Sequence, residues 1–321
     1  MGSLFRRLIF GMFFIAWGFT AACKRVETSR ELELKSEPSE IAKLIVLRDD
    51  VRAWALRCGV SASKDNCDVG DATLFNGLLC LSGDELSCEA VRRSQGSDGR
   101  IWRAEFRVAA DAVNSFSRDM AMGVLAYLVA TKDVELARRW MTWIENNNWR
   151  LCRESSDNRC DFTPGFWSLF RDVWKYLGLP LNQNMSSVFL DDSVLALLQS
   201  QFAPAGFELH LSSVNLLVRR SIGQQSATLN SLSQALAVRQ GQNPFFAYLA
   251  EGASSNVLRR TMEWCPRTAP RFRTEWSFER NEQDKPWERS MGWECVMLIN
   301  FLLRDFNEGS VTPPSASAEN H

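Results

Sequence analysis

Three groups of residues combine side-chain types and spacings that can do chemistry. The first is Asp98-Gly99-Arg100 together with Ser117-Arg118-Asp119. Asp119 opens a largely apolar segment, with Ser115 as its expected N-cap, and Gly123, Ala126 and Ala130 continue its helical face as a small-residue stripe. A carboxylate at the start of a buried helix can face a cavity as acid or base. It can equally stabilise the helix dipole with Arg118 as its ion partner. The second group is His210, which shares a helical face with Val214, Leu217 and Val218. Its imidazole suits proton transfer near neutral pH, or a hydrogen-bonded place in a core. The third runs from Glu275-Trp276 through Glu279-Arg280 to Trp287-Glu288 and Trp293-Glu294. Aromatic faces beside carboxylates and guanidinium groups suit sugar rings, because the apolar ring face stacks while hydroxyls meet charged partners. The same residues also suit a pinned loop whose tryptophans pack inward.

The acid and base are therefore expected among Asp119, Glu279 and Glu288, with His210 as a further catalytic candidate. Asp98, Arg100, Arg118, Trp276, Arg280, Trp287 and Trp293 are the expected substrate contacts. With only His210 and His321 in the chain, a multi-histidine metal site is excluded. No metal and no cofactor is expected. G-x-S-x-G, H-E-x-x-H, G-x-x-x-x-G-K-[ST] and G-x-G-x-x-G are all missing from the sequence, so serine-hydrolase, zincin, P-loop and dinucleotide chemistries lack their local signatures.

The elements that must position these residues read mostly as helices. Apolar residues recur at helical spacing over 39–57, 134–145, 166–177, 187–201, 207–222, 227–239, 244–250, 254–264 and 291–306. Residues 116–130 are apolar nearly all round, as a buried helix would be. The best strand signal is Ile101 to Val108, where Trp102, Ala104, Phe106 and Val108 alternate with Arg103, Glu105 and Arg107. The fold class expected is all-α with minor β and disulfide-stapled loops. Alternation of buried and amphipathic helices points to an (α/α) toroid, with an irregular helical bundle as the alternative.

Composition sets the setting. Of 321 residues, 37 are basic and 38 acidic, a formal net charge of −1 that gives no electrostatic footprint for nucleic acid. Arg6 and Arg7 precede an uncharged apolar run, Leu8 to Ala22, too short to span a bilayer as a helix but suited to a signal peptide. It ends in Thr20-Ala21-Ala22-Cys23, which resembles the bacterial lipobox, with Thr20 in place of the usual Leu. The resemblance implies a diacylated Cys23 and an envelope lipoprotein held at a membrane surface; a plain cleavable signal or an N-terminal anchor helix is the alternative. Lys24 after the cysteine implies the outer membrane.

Eight cysteines remain. Cys58 and Cys67, Cys80 and Cys88, and Cys152 and Cys160 each bracket a short polar segment expected as a surface loop, which leaves Cys265 with Cys295. The expected organisation is a signal over 1–22, a tether over 23–40, one helical domain over 41–306 and a disordered tail over 307–321.

The helix-pair organisation resembles the six-hairpin glycosidases and (α/α) polysaccharide lyases. The resemblance is architectural, covers about residues 40–306 and carries over no catalytic residue. It implies glycan processing, hydrolytic or eliminative, on an envelope polysaccharide. The alternative is a non-catalytic envelope lipoprotein that binds a glycan or a protein.

Overall fold

Apolar side chains on every face place two helices at the centre of the molecule. The computed structural model describes residues 38–59, 72–108, 116–153, 158–182, 206–268, 276 and 292–309. These all belong to one compact unit, Ser36–His321. In chain order the helices are α1 (Pro38–Gly59), α2 (Ala72–Leu81), α3 (Glu85–Arg93), α4 (Arg118–Thr131), α5 (Val134–Asn146), α6 (Pro164–Tyr176), α7 (Phe207–Ser221), α8 (Ala227–Arg239), α9 (Pro244–Glu251), α10 (Ser255–Trp264) and α11 (Trp293–Gly309). Every residue of α2 is buried, and so is α4 from Met120 to Val129. A helix without a polar face must be surrounded by protein. Accordingly α1, α3 and α11 pack on α2, while α6 and α7 pack on α4.

The two central helices touch backbone to backbone. A methyl group on Gly77 would overlap the Gly123 carbonyl, and one on Gly123 would overlap Leu74 Cα and the Thr73 carbonyl. The small-residue stripe that includes Gly123 therefore does bring a neighbour close, and the neighbour is α2.

Short polar residues start the outer helices as capping chemistry requires. Asp84 accepts from Ser87 N–H, Asp133 from Leu136 N–H, Thr163 from Phe166 N–H, Ser226 from Leu229 N–H and Ser254 from Val257 N–H. Pro164 and Pro244 occupy first-turn positions, where a missing N–H costs nothing. The helix of residues 118–131 departs from expectation at its start. Ser117, not Ser115, holds the N-cap position, and its side chain makes no capping bond; Ser115 itself lies outside the described residues.

Two further expectations are corrected. Ile101 to Val108 is not a strand, and no strand occurs among the described residues. Ile101 makes an isolated antiparallel bridge to Gln95, and Glu105–Arg107 is a 3-10 turn. The reason is that the segment's carbonyl groups meet a helix end instead of a second strand. Thr73 Oγ1 donates to the Trp102 and Arg103 carbonyls at 2.7 and 2.6 Å, and Thr73 N–H donates to the Arg103 carbonyl at 2.9 Å. The alternation also fails at Phe106, which is 42% exposed while Trp102 and Ala104 are buried. Second, the segment between Cys80 and Cys88 is a helix-to-helix corner, not a surface loop. Its disulfide joins the last turn of α2 to α3. The ten residues of α2 are buried on every side, so the run lacks the exposed polar face that would give it a periodic signal.

Cys80–Cys88, Cys152–Cys160 and Cys265–Cys295 are paired as the spacing predicts. Cys67 lies outside the described residues, as do Cys23, the 187–201 segment and most of the 307–321 tail. No described helix is long and apolar enough to cross a membrane.

Two tyrosines link elements through carboxylates. Tyr127 O–H donates to Asp133 at 2.7 Å, and Tyr248 O–H donates to Asp305 at 2.8 Å while its ring stacks on Phe301. Burial first, and the neighbouring carboxylate second, raises both phenols above their ordinary value. The folded state thus keeps protons that the unfolded chain begins to release near pH 10. The stability these groups contribute is intact below that pH and is lost as pH rises. Denaturant unfolding from pH 9 to pH 11 is expected to show a falling limb, flattened in Tyr127→Phe and Tyr248→Phe.

Candidate functional site

Three of the expected residues, His210, Trp276 and Trp293, come together. The His210 side chain is fully buried on α7. Its ring lies 4.6 Å from Trp276 and 5.0 Å from Phe246, centre to centre. Trp276 meets Trp293 edge-on at 4.7 Å, and Trp293 stacks on Phe75 of α2 at 3.8 Å. Residue exposure is 2% for both tryptophans and 3% for Glu294.

Polar groups close around the imidazole. Its Nδ1 lies 3.1 Å from the Gly206 carbonyl, and its Nε2 lies 3.4 Å from Asn243 Nδ2 and 3.8 Å from Glu294 Oε1. Asn243 comes from the cap of α9, and Glu294 from the first turn of α11. The start of α11 is set by Gly292, whose φ of +79° and close approach to the Trp54 ring exclude a side chain. The Cys265–Cys295 disulfide holds the next residue of α11 against the end of α10. Chemically, an imidazole, a carboxylate and an amide form a proton-handling set. Aromatic rings fill the space around them.

The other expected residues have surroundings of their own or lie outside the described residues. Arg100 is only 4% exposed, and its guanidinium lies 4.0 Å from the Trp102 ring centre and 5.9 Å from that of Trp143. Asp98 accepts from Arg100 N–H at 3.0 Å and faces Arg153 at 3.5 Å. Arg118 donates to the Asn158 and Asp161 carbonyls at 2.6 and 3.0 Å, which ties α4 to the turn closed by Cys152–Cys160. Asp119 lies in the first turn of α4, half-buried. Glu279, Arg280, Trp287 and Glu288 fall outside the described residues.

Asn243 is not among the expected site residues. The signal was present: Asn immediately before Pro at the start of an apolar run is a helix-start signature. A buried group between α6 and α7 had no such signal. Arg219 donates to Asp172 at 2.6 Å, Gln224 at 3.0 Å, Ser168 at 3.0 Å and Asn215 at 2.8 Å.

An open cleft of about 440 Å³ lies beside α5 and α6. Arg138, Thr142, Glu145 and Asn182 supply its polar groups, over Trp174 and Leu179. Asn182 donates to Glu145 at 2.8 Å. Among the described residues, no three His, Cys, Asp or Glu side chains are grouped to hold a metal ion.

No protein-family model, no curated protein and no solved structure matches this chain.

Proposed function

We propose that this chain is a lipid-anchored envelope protein whose helical body, arranged as an (α/α) toroid, binds an envelope glycan without turning it over. The anchor is Cys23, at the end of the Leu8 to Ala22 signal, and the outer membrane is its site. The observation that carries the non-catalytic part is the packing around His210. A catalytic imidazole must reach its substrate, yet His210 is fully buried and Trp276 and Trp293 fill the adjoining space at 2% exposure. The tryptophans follow the same pattern more widely: Trp140, Trp143 and Trp174 are also buried. The aromatic excess thus supports the core in these helices, and the glycan is assigned to the cleft beside α5 and α6. Its carboxylate, guanidinium, amide and hydroxyl groups above an apolar floor suit hydroxyl-bearing ligands.

The full chain, incubated with peptidoglycan and a panel of envelope polysaccharides, is expected to sediment with one of them and release no product. Glu145→Ala with Arg138→Ala should weaken that retention by about tenfold or more, the effect of losing one good polar contact. Product release that disappears in Asp119→Asn or Glu279→Gln would replace this proposal with the glycan-processing enzyme. Retention on a protein alone would replace the ligand. Labelled palmitate should enter the wild-type chain and not Cys23→Ser.

A further inference from the structure

The two ring nitrogens of His210 have different partners, and the partners dictate the proton. Nδ1 lies 3.1 Å from the Gly206 carbonyl oxygen, which can only accept, so Nδ1 carries hydrogen. Nε2 lies 3.4 Å from Asn243 Nδ2. The orientation of the Asn243 amide is set by the helix it caps: its Oδ1 accepts from the N–H groups of Phe245 at 2.9 Å and Phe246 at 3.3 Å. Its Nδ2 also donates to Gln240 Oε1 at 3.0 Å. The amide therefore presents a donor to Nε2, and only an unprotonated Nε2 accepts it. Glu294 Oε1 lies 3.8 Å from the same nitrogen, beyond hydrogen-bond range.

We propose that His210 is a proton-operated partner switch. Neutral, it accepts from Asn243 and ties α7 to the cap of α9. With a solvent proton bound at Nε2 it becomes a donor on both nitrogens, repels the Asn243 amide and closes on the Glu294 carboxylate. Acid thereby releases the α9 cap and draws α7 toward the start of α11. Other charged groups of the neighbouring elements are placed as follows. Glu208 precedes His210 on α7, Arg219 is engaged by Asp172 of α6, and Arg220 by the Leu249 carbonyl of α9. Helix α4, packed on α7, carries Asp119 in its first turn. The sequence flanking Trp276 carries Arg273, Glu275, Glu279 and Arg280.

The sign follows from proton linkage. An imidazole in an unfolded chain gains its second proton near pH 6.5. Where the native state holds the neutral ring, the unfolded state binds more protons, so stability falls as pH drops below that value.

The chain has only two histidines, so its imidazoles can be followed one by one. In the full chain labelled with nitrogen-15 histidine, His210 is expected at pH 7.5 as the neutral Nδ1–H tautomer, with His321 as the internal reference. On acidification, protonation of His210 should coincide with about tenfold faster exchange of the Phe245 and Phe246 amides, after correction for intrinsic rates. Glu294→Gln removes the negative charge that favours the acid state, so His210 should take its proton at lower pH. His210→Gln should abolish the acid response of the two amides. An Nε2–H tautomer or a charged ring at pH 7.5 overturns the proposal, as does an acid response that survives in His210→Gln. If His210→Gln does not fold, an unshifted His210 titration in Glu294→Gln overturns it.

Discussion

Asp172→Ala is expected to destabilise the protein by about 3–5 kcal/mol, the range for stranding one member of a buried ion pair. Arg219 is 3% exposed and sits between α6 and α7. In the wild type its guanidinium meets Asp172, Gln224, Ser168 and Asn215, so the charge that burial penalises is hydrogen-bonded on all sides. Gln224 Nε2 also donates to Asp172 at 2.9 Å, which closes the set. Removing the carboxylate takes away the anion that faces this interior cation, while Gln224, Ser168 and Asn215 remain as neutral partners. Arg219→Met is expected to cost less, because Asp172 keeps Arg171 at 3.3 Å and Gln224. The double variant Arg219→Met with Asp172→Ala should recover much of the loss, since neither charge is then buried alone. Chemical denaturation of the four proteins measures the coupling. Additive losses would mean that the ion pair contributes nothing specific.

Gly123→Ala should cost about 3 kcal/mol, although the same change in an ordinary helix gains up to about 1 kcal/mol from propensity. The reversal comes from what the methyl would meet. Its neighbours are Leu74 Cα and the Thr73 carbonyl, backbone atoms of a helix that is itself buried on every side. No rotamer change relieves such an overlap, so α2 and α4 must separate and leave poorly packed space along their contact. Gly77→Ala acts at the same crossing, against the Gly123 carbonyl, and the two losses should be less than additive. Gly241→Ala is the control: the nearest atom to its added carbon is the Ala237 carbonyl oxygen at 3.7 Å. A thermal midpoint lowered by about 6–12 °C in Gly123→Ala and unchanged in Gly241→Ala is the expected pattern. An unchanged midpoint in Gly123→Ala would show that the helices part without cost.

The contrast between these positions explains how much of the molecule was legible from its residues. Helices with a cap, an apolar stripe and a breaker could be placed within a few residues, as α5 to α10 were, because each signal is local to the turn it specifies. Helix α2 was missed because a run buried on all sides has no periodicity. The strand expected at Ile101 to Val108 failed because a strand needs a partner, and Thr73, twenty-eight residues before Ile101, supplied the hydrogen bonds instead. The disulfides followed the opposite course. Cys80–Cys88 and Cys152–Cys160 were readable from spacing, since short loops between cysteines restrict the alternatives, and Cys265–Cys295 followed by elimination.

By itself the sequence determined a mostly helical, disulfide-stapled body and its two short-range cysteine pairings, because helix capping and short-loop bridging depend on residues close along the chain. It also singled out Asp119 with its neighbours, His210 and the Glu275 to Glu294 segment as the residues most able to do chemistry. Only the tertiary structure decided how those residues are used. His210, Asn243, Trp276 and Glu294 come from separate parts of the chain, and whether an imidazole meets solvent, substrate or a ring face depends on how α7, α9 and α11 pack. His210, Trp276, Trp293 and Glu294 are all buried there, because access is a property of packing and not of composition.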